Sequence, residues 1–252
     1  MDCISPLNDF VVADGIIVLD LNSKRDIDLT LVAKALKNNT SVKILYMASN
    51  YIEDIGPLAD VLQSNSTLEE LHLACNRISD VTSLAKALKN NVTLVKLYLS
   101  HNIIVDIAPL AEMLMYNTFL KKLYLNHNLI VDVSSLAEAL LHNTTLTHLI
   151  LSGNEIVDIT SLKEPLKVNK TIVSLNLSFH SIVDIQPLVD VLKFNTSLIG
   201  LYTSYHYDIQ NRNHGNQLQF IHNQLRMNEQ NKENRTTSLF MLCMPYTLFT
   251  LT

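Results

Sequence analysis

Lysine, tyrosine and histidine recur 26 residues apart in the middle of the chain. The recurring pairs are Lys96 and Lys122, Tyr98 and Tyr124, and His101 and His127. Tyrosine offers a large contact area with a polar tip, which is why it is enriched at binding hot spots. Because these pairs form a locally basic patch on an acidic chain, they predict contact with a protein partner, preferably through an acidic segment.

A solvated surface that is merely duplicated with the repeats, a metal site and a cysteine nucleophile are the alternative interpretations of the same region. His101 and His127 would lie about 5 Å apart on adjacent strands, but no carboxylate or thiolate has a suitable ligand geometry. Cys75 precedes His101 by one repeat, and a cysteine at a repeat position is more often inert packing. The sequence has no phosphate-cradling glycine loop and no nucleophile elbow. We therefore expect no metal, no cofactor and no enzymatic activity.

Leucine recurs at the same period along most of the chain. These leucines are Leu19, Leu45, Leu71, Leu97, Leu123, Leu149, Leu175 and Leu201. A fixed period of this length is typical of a solenoid, in which each unit contacts mainly its neighbours. Within one unit, residues 68–73 alternate apolar and polar side chains as a strand does, whereas Leu84, Ala85 and Leu88 have helical spacing.

These periods predict an α/β solenoid of about eight 26-residue repeats, curved like a horseshoe. A parallel β-sheet would line the concave face, and short α-helices would form the convex face. Side chains that flank each strand leucine should point to the concave face, because side chains alternate along a strand. The predicted protein-binding residues on that face are Tyr46, His72, Lys96, Tyr98, His101, Lys122, Tyr124, His127 and His148.

Three rows of polar residues follow the same period and predict structural roles. One row should bond exposed turn backbone just after the strands: Asn50, Asn76, Asn102, Asn128 and Asn154. A second row should bond turns at the helix starts: Asp28, Asp54, Asp80, Asp106, Asp132, Asp158 and Asp184. A third row ends the helices, where a left-handed residue is usually needed: Asn39, Asn65, Asn91, Asn117, Asn143, Asn169 and Asn195.

Prolines add two local predictions. Pro57, Pro109 and Pro187 share one repeat position that suits the first turn of a helix. Pro165 instead falls inside the sixth predicted helix, where a proline removes a hydrogen bond and clashes with the preceding turn. We expect a shortened or 3₁₀ segment in that repeat.

The two ends of the chain depart from the repeat. Residues 1–18 predict a capping hairpin that turns at Asp14-Gly15, and residues 19–206 hold the repeats. Residues 207–234 predict a capping helix over the last core layer. Residues 235–252 form an apolar tail, which we expect to fold back onto the solenoid end; a membrane-associating or partner-binding tail and a poorly ordered tail are the alternatives.

Composition narrows the class of protein. The formal net charge is −5, with basic residues scattered, which argues against nucleic acid or an anionic membrane as the main partner. The chain has 3 cysteines, an odd number without metal-ligand spacing, which favours a reducing interior. Without a signal-peptide pattern or an apolar run long enough to span a bilayer, the chain is expected to be soluble, cytoplasmic and monomeric.

The repeat resembles a known family. The pattern Leu-x-x-Leu-x-Leu-x-x-Asn-x-Ile over residues 16–206 is similar to the conserved segment of leucine-rich repeat proteins. The helical segment that follows it is similar to the ribonuclease-inhibitor-like class. Residues 54–59 and 106–111, which read Asp-Ile-x-Pro-Leu-Ala, resemble bacterial internalin repeats. The strict period and the abundance of Asn and Ile resemble leucine-rich repeat proteins of giant amoeba viruses such as mimivirus.

The resemblance implies a non-catalytic scaffold for protein–protein interaction that uses its concave sheet. A regulator of a partner enzyme, such as a nuclease or a small GTPase, is the first alternative. A membrane-peripheral adaptor that uses the C-terminal tail is the second alternative. A giant-virus origin would place the protein in the host cytoplasm. Fold resemblance alone does not transfer function, and no site of those relatives matches this chain residue by residue.

Overall fold

The structure is a computed structural model that describes residues 12–13, 15–25, 27–179, 181–203 and 212–242. For residues 212–216, 218 and 234–242 only the backbone is described. Most of the predicted N-terminal hairpin and the end of the apolar tail lie outside the described residues. The division of the chain into cap, repeats, cap and tail therefore stays a prediction.

Eight parallel strands form one sheet within the described residues, in the order β1 to β8. The strands are β1 (Val18–Asp20), β2 (Ile44–Tyr46), β3 (Glu70–His72), β4 (Lys96–Tyr98), β5 (Lys122–Tyr124), β6 (His148–Ile150), β7 (Ser174–Leu177) and β8 (Gly200–Thr203). Each strand leucine pairs with the leucine of the next repeat, from Leu19 through to Leu201. The solenoid predicted from the leucine period is confirmed.

A helix follows almost every strand. The described helices are α1 (Leu29–Leu36), α2 (Gly56–Leu62), α3 (Thr82–Leu88), α4 (Ala108–Tyr116), α5 (Ser134–His142), α6 (Lys163–Val168), α7 (Gln186–Leu192) and α8 (Arg212–Leu242). Adjacent helices pack against each other from α1 to α8, and the sheet and helix layers enclose one core of Leu, Ile, Val and Ala. No helix in the described part of the chain is long and apolar enough to cross a bilayer.

The core lies on one side of the sheet only. Leu71, Leu97 and Leu123 are fully buried against the helices, whereas the residues on either side of each are partly exposed. We call the other side, which corresponds to the predicted concave face, the open sheet face. Strand alternation therefore places the predicted binding residues of the strands on an accessible surface.

The asparagine row after the strands bonds backbone across neighbouring repeats. The amide nitrogen of Asn128 donates to the carbonyl oxygens of Leu99 and Leu125, each at 3.0 Å. Its amide oxygen accepts from the backbone N–H of Ile104 at 3.0 Å. Asn76 and Asn102 are buried with the same kind of bonds. The predicted role of this row is confirmed, and it satisfies turn backbone that would otherwise be buried without a partner.

The aspartate row begins the helices. Oδ1 of Asp132 accepts from the N–H of Ser134, the first residue of α5, at 2.8 Å, and Asp54 bonds Gly56 in the same way at 2.7 Å. Prolines stand in the first turns of α2, α4 and α7. Both predictions for the helix starts are confirmed.

The helix-ending asparagines are not left-handed, so that part of the prediction is wrong. Asn117 has φ −71° and ψ 128°, an extended conformation. Its amide oxygen instead accepts from the N–H groups of Phe119 and Leu120, and its nitrogen donates to Leu88 of the preceding repeat. A side chain that bonds the N–H groups two and three residues ahead ends the helix without a positive φ.

Left-handed residues stand just after the strands instead. They include Ser49, Cys75, His101, His127, Gly153 and Phe179, with φ between 54° and 68°. In each repeat, the chain leaves the sheet at this turn and runs toward the next helix. It also explains why polar or small residues are common at this repeat position.

Pro165 changes the sixth helix as predicted. A 3₁₀ turn, Thr160–Leu162, precedes α6, which begins at Lys163 and has 6 residues. Pro165 therefore lies in the first turn of α6, where the N–H it lacks needs no intrahelical partner. The proline is buried, so the shortened helix still covers the core.

Helix α8 packs on α7 at the end of the solenoid. Ile221 and Leu225 are buried, and the amide of Asn228 donates to the carbonyl oxygens of Asn195 and Leu198 at 3.1 and 2.8 Å. The helix thus covers apolar and backbone groups of the last repeats. It continues through the predicted boundary between residues 234 and 235.

Candidate functional site

The strand register brings most of the predicted binding residues into two parallel rows. Lys96 pairs with Lys122, which pairs with His148. Two positions further along the strands, Tyr46 pairs with His72, and Tyr98 follows in the next strand. Tyr124 completes this second row. All these side chains lie on the open sheet face and are partly exposed.

The second row is a continuous stack of rings, which we call the aromatic row (Tyr46, His72, Tyr98 and Tyr124). The ring centroids of His72 and Tyr98 lie 4.0 Å apart with an interplanar angle of 12°. Tyr98 and Tyr124 are stacked at 4.3 Å and 9°. Tyr46 lies at 4.3 Å from His72 with a tilt of 38°. The ring faces therefore cover one another, and the ring edges and hydroxyl groups remain for a ligand.

An acidic residue reduces the positive charge of the first row, Lys96, Lys122 and His148, which we call the lysine row. Nζ of Lys96 lies 2.6 Å from Oε1 of Glu70, an ion pair across adjacent strands. The predicted patch is consequently less basic than the sequence suggested, because one of its two lysines is neutralised. Lys122 makes no ion pair within the described residues. This lysine therefore supplies the positive charge of the lysine row.

His72 is held between Glu70 and the neighbouring rings. Its Nε2 lies 3.5 Å from Oε2 of Glu70 and makes no hydrogen bond. Burial lowers the pKa of His72 despite the nearby carboxylate. The imidazole is thus a neutral member of the stack. Burial also raises the pKa of Tyr98, as do the nearby Tyr124 and Glu70, which keeps its hydroxyl protonated.

A second ring contact lies at the turn after the strands. The rings of His101 and His127 are stacked with centroids 4.3 Å apart at 16°. Burial and the neighbouring His127 lower the pKa of His101. We call these two residues the histidine pair. Ser100 and Asn126 lie between the aromatic row and the histidine pair in sequence, and the Ser100 hydroxyl bonds Oδ1 of Asn126 at 2.6 Å.

His148 is separate from both groups of rings. It continues the lysine row on β6, and its Nδ1 lies 2.8 Å from the hydroxyl of Thr147. Burial, with the positive charges of Lys122 and Lys232, lowers its pKa. Lys232 belongs to α8, so the terminal helix contributes charge near this end of the face.

Sequence reasoning missed two residues that shape the site. Glu70 occupies the lysine position one repeat earlier, and its period of 26 with Lys96 was the available signal for the ion pair. Gly153 occupies the histidine-pair position one repeat after His127. The role of Gly153 depends on the orientation of the His127 ring, which the spacing of residues in the sequence does not predict.

Other surfaces offer less defined chemistry. A groove of about 710 Å³ lies on the helix side between α3 and α4, next to Lys86 and Glu112. It is an open channel between adjacent helices. Among the described residues, no three His, Cys, Asp or Glu side chains are grouped so that they could hold a metal ion. Cys75 is exposed and forms no disulfide bond within the described residues.

Models of the leucine-rich repeat family match two parts of the chain. A model for leucine-rich repeats in two copies matches residues 66–112, and a second leucine-rich repeat model matches residues 142–158. A comparison with curated proteins finds no match.

Solved structures of two internalins from Listeria monocytogenes are similar to this chain. Internalin InlF is 28% identical with a TM-score of 0.56, over 75% of this chain and 47% of the internalin. Internalin C2 is 25% identical with a TM-score of 0.55, over 79% of this chain and 77% of the internalin. This chain therefore spans about half the length of InlF. Together with the 26-residue register of the sheet, these matches show that the chain contains leucine-rich repeats and has the leucine-rich repeat fold.

Proposed function

We propose that this protein is a non-catalytic scaffold that binds a protein partner across its open sheet face. The binding surface is centred on the third to fifth repeats. The aromatic row carries the proposal, because it places three tyrosines and a histidine side by side at an accessible surface. The leucine-rich repeat fold is generally a scaffold for protein–protein interaction, which is consistent with this role.

The repeats themselves provide a control for the importance of the aromatic row. The same strand position holds Ile150 in the sixth repeat and Asn176 in the seventh, and both strands still pair in register. The fold therefore does not require an aromatic residue there. Aromatic rings clustered in only some repeats support selection for contact with a ligand rather than for folding.

The chemistry of the surface favours an acceptor-rich partner segment. Ring faces are used within the stack, so a partner would contact hydroxyl groups and ring edges. Lys122 lies next to Tyr124 and has no carboxylate partner among the described residues, so a partner carboxylate would fit beside it. An acidic segment that crosses the fifth strand would satisfy both groups.

The test is affinity capture from cell lysate with a variant built from residues of the seventh repeat. Tyr98→Asn, Tyr124→Asn and Lys122→Ser copy Asn176 and Ser174 into the site. Lys96 is left unchanged, because its substitution would leave Glu70 without its ion-pair partner. We expect the variant to fold normally and to bind a captured protein at least about tenfold more weakly than the wild type, as for loss of a hot spot.

A matched control places the same charge change on the helix side. Lys86→Ser removes one positive charge from an exposed position of α3, and it should bind like the wild type. Equal capture by the wild type and the open-face variant would contradict the proposal. Loss of capture in the Lys86 variant alone would move the binding surface to the helices.

The identity of the captured protein separates this proposal from the alternatives. A nuclease or small GTPase whose activity changes on binding would make the scaffold a regulator. The membrane-adaptor alternative depends on residues 235–252, the last ten of which lie outside the described residues. We also propose a cytoplasmic location, which rests on the cysteine usage of the sequence, and the giant-virus origin stays a prediction.

A further inference from the structure

A strip of exposed aliphatic side chains follows the strands in the later repeats. Four valines at one repeat position are exposed by 56, 51, 48 and 73%: Val105, Val131, Val157 and Val183. Ile103 and Leu129, two residues earlier in two of the repeats, are exposed by 47 and 40%. We call these six residues the valine strip. It lies at the edge of the solenoid, between the strands and the helices.

The fold does not require apolar residues in the strip. The same repeat position holds Glu53 in the second repeat and Ser79 in the third, and both are exposed. The core at this edge is supplied by the alternate residues Ile104 and Ile130, which are fully buried. Since Glu53 and Ser79 serve the fold equally well, the valines are not explained by folding.

A row of carboxylates runs beside the valine strip. The residue after each valine is an aspartate: Asp106, Asp132, Asp158 and Asp184. One oxygen of each accepts the N–H at the start of the following helix, at 2.7 to 2.8 Å. No ion pair involves any of the four within the described residues. We call these four residues the acidic row. The side chains of Ser134 and Thr160 also bond Asp132 and Asp158, so the row offers a partner its negative charge rather than free hydrogen-bonding oxygens.

We propose that the valine strip and the acidic row form a docking surface for a basic amphipathic helix of a partner protein. Exposed apolar patches that are rimmed by polar residues mark interaction sites. The aspartates of the acidic row would attract Lys or Arg residues of the partner that lie beside its aliphatic contact residues. This surface is separate from the open sheet face and does not depend on the function proposed above.

Two arguments favour a helix as the occupant. A helix presents an apolar row and a basic row side by side on one face, whereas a strand sends alternate residues to opposite faces. Successive side chains on a helix face lie about 5–6 Å apart. In a solenoid, neighbouring repeats are about 4.8 Å apart at the strands and about 8–10 Å apart at the helices. The spacing along a partner helix therefore falls within the range expected for the valine strip, which lies between the strands and the helices.

A second copy of this chain and an anionic membrane fit the surface less well. Two copies meeting at the strip would bring their acidic rows together, and like charges in contact disfavour association. The net charge of −5 adds to that repulsion. An anionic membrane would be repelled by the same carboxylates.

The test is binding of a fluorescent peptide probe, followed by anisotropy. The probe is a designed helix of about 20 residues with leucines on one row and lysines on the adjacent row. Val131→Ser with Val157→Ser, which copies Ser79, should weaken binding by about tenfold. Asp132→Asn with Asp158→Asn keeps the capping oxygen but removes charge, and it should weaken binding by about threefold or more at low salt.

Matched controls isolate the surface. Asp54→Asn with Asp80→Asn removes the same charge in repeats that lack the strip, and it should leave the affinity within about twofold of wild type. A probe with glutamates in place of lysines should not bind. Absence of probe binding to the wild type, or equal binding by all variants, would overturn the proposal. Self-association of the wild type that is lost in the serine variant would also overturn it, in favour of a second copy.

Discussion

The imidazole of His127 fills the space that a side chain at residue 153 would need. A Cβ on Gly153 would lie 2.5 Å from Nδ1 of His127 and 2.8 Å from its Cε1. Gly153 also has φ +68°, a conformation that favours glycine. The glycine therefore lets the histidine pair lean toward the sixth repeat.

Gly153→Ala is expected to destabilise the protein by about 2–4 kcal/mol, because the clash with His127 adds to the cost of a positive φ. In a His127→Ala background the same substitution should cost about half as much, since the clash is gone. Urea denaturation of the four proteins in this cycle measures the difference. Equal costs in both backgrounds would show that His127 does not occupy this space.

Asn128→Ala should cost about 1–3 kcal/mol, because it leaves the buried N–H of Ile104 without its partner and removes one of the two amide donors from the carbonyl oxygens of Leu99 and Leu125. The exposed Asn90→Ala is the control and should change stability by less than about 0.5 kcal/mol. Urea midpoints test both changes. A similar small effect at the two positions would contradict the assigned role of the asparagine row.

The stacking of Tyr98 on Tyr124 should appear as a coupling energy of about 1 kcal/mol in a double-mutant cycle with Tyr98→Asn and Tyr124→Asn. Each asparagine copies the residue of the seventh repeat, so the backbone should be unaffected. Thermal or urea unfolding supplies the four free energies. Simple additivity of the two substitutions would mean that the stacked rings do not stabilise each other.

Stability should fall as the pH is lowered from about 7.5 to 5.5. The pKa values of His72, His101 and His148 are lowered, chiefly by burial. The unfolded chain therefore binds protons first, near the ordinary histidine pKa of about 6.5. The stabilisation from the neutral forms is complete above that pH and is lost as the pH falls through the lowered pKa values.

Urea midpoints at the two pH values measure this loss. Glu70 titrates below the window because its pKa is lowered through its bond to Lys96, in spite of opposing burial, and so it should not contribute. His72→Tyr, which extends the tyrosine stack, should reduce the difference between the two midpoints. A midpoint that is unchanged or higher at pH 5.5 would contradict the direction of these pKa shifts.

The fold was largely predictable because residues with the same structural preferences occur at the same position of each repeat. The leucines from Leu19 to Leu201 gave the strand register, and Asp132 and Asn128 exemplify rows whose bonds follow from their place in the turn. The conformation of the helix-ending asparagines was not predictable from helix rules. Asn117 ends its helix through side-chain bonds and stays extended.

The rows of side chains in the site were predictable, but its net charge and the extent of the exposed apolar surface were not. Strand alternation placed Tyr98 beside Tyr124, whereas the partner of Lys96 depends on the rotamers of two flexible side chains. The valine strip was not predictable because Val105 and Val131 alternate with buried isoleucines. In the sequence, an exposed valine next to a core residue cannot be distinguished from a buried valine.

Site-specific photo-crosslinking tests the central claim most directly. A photoreactive phenylalanine analogue at residue 124 places the probe on the open sheet face, and the same group at residue 86 places it on the helix side. In cell extract we expect residue 124 to crosslink to a discrete partner protein, and residue 86 to give none. Crosslinks from residue 86 without any from residue 124 would contradict a partner-binding open sheet face.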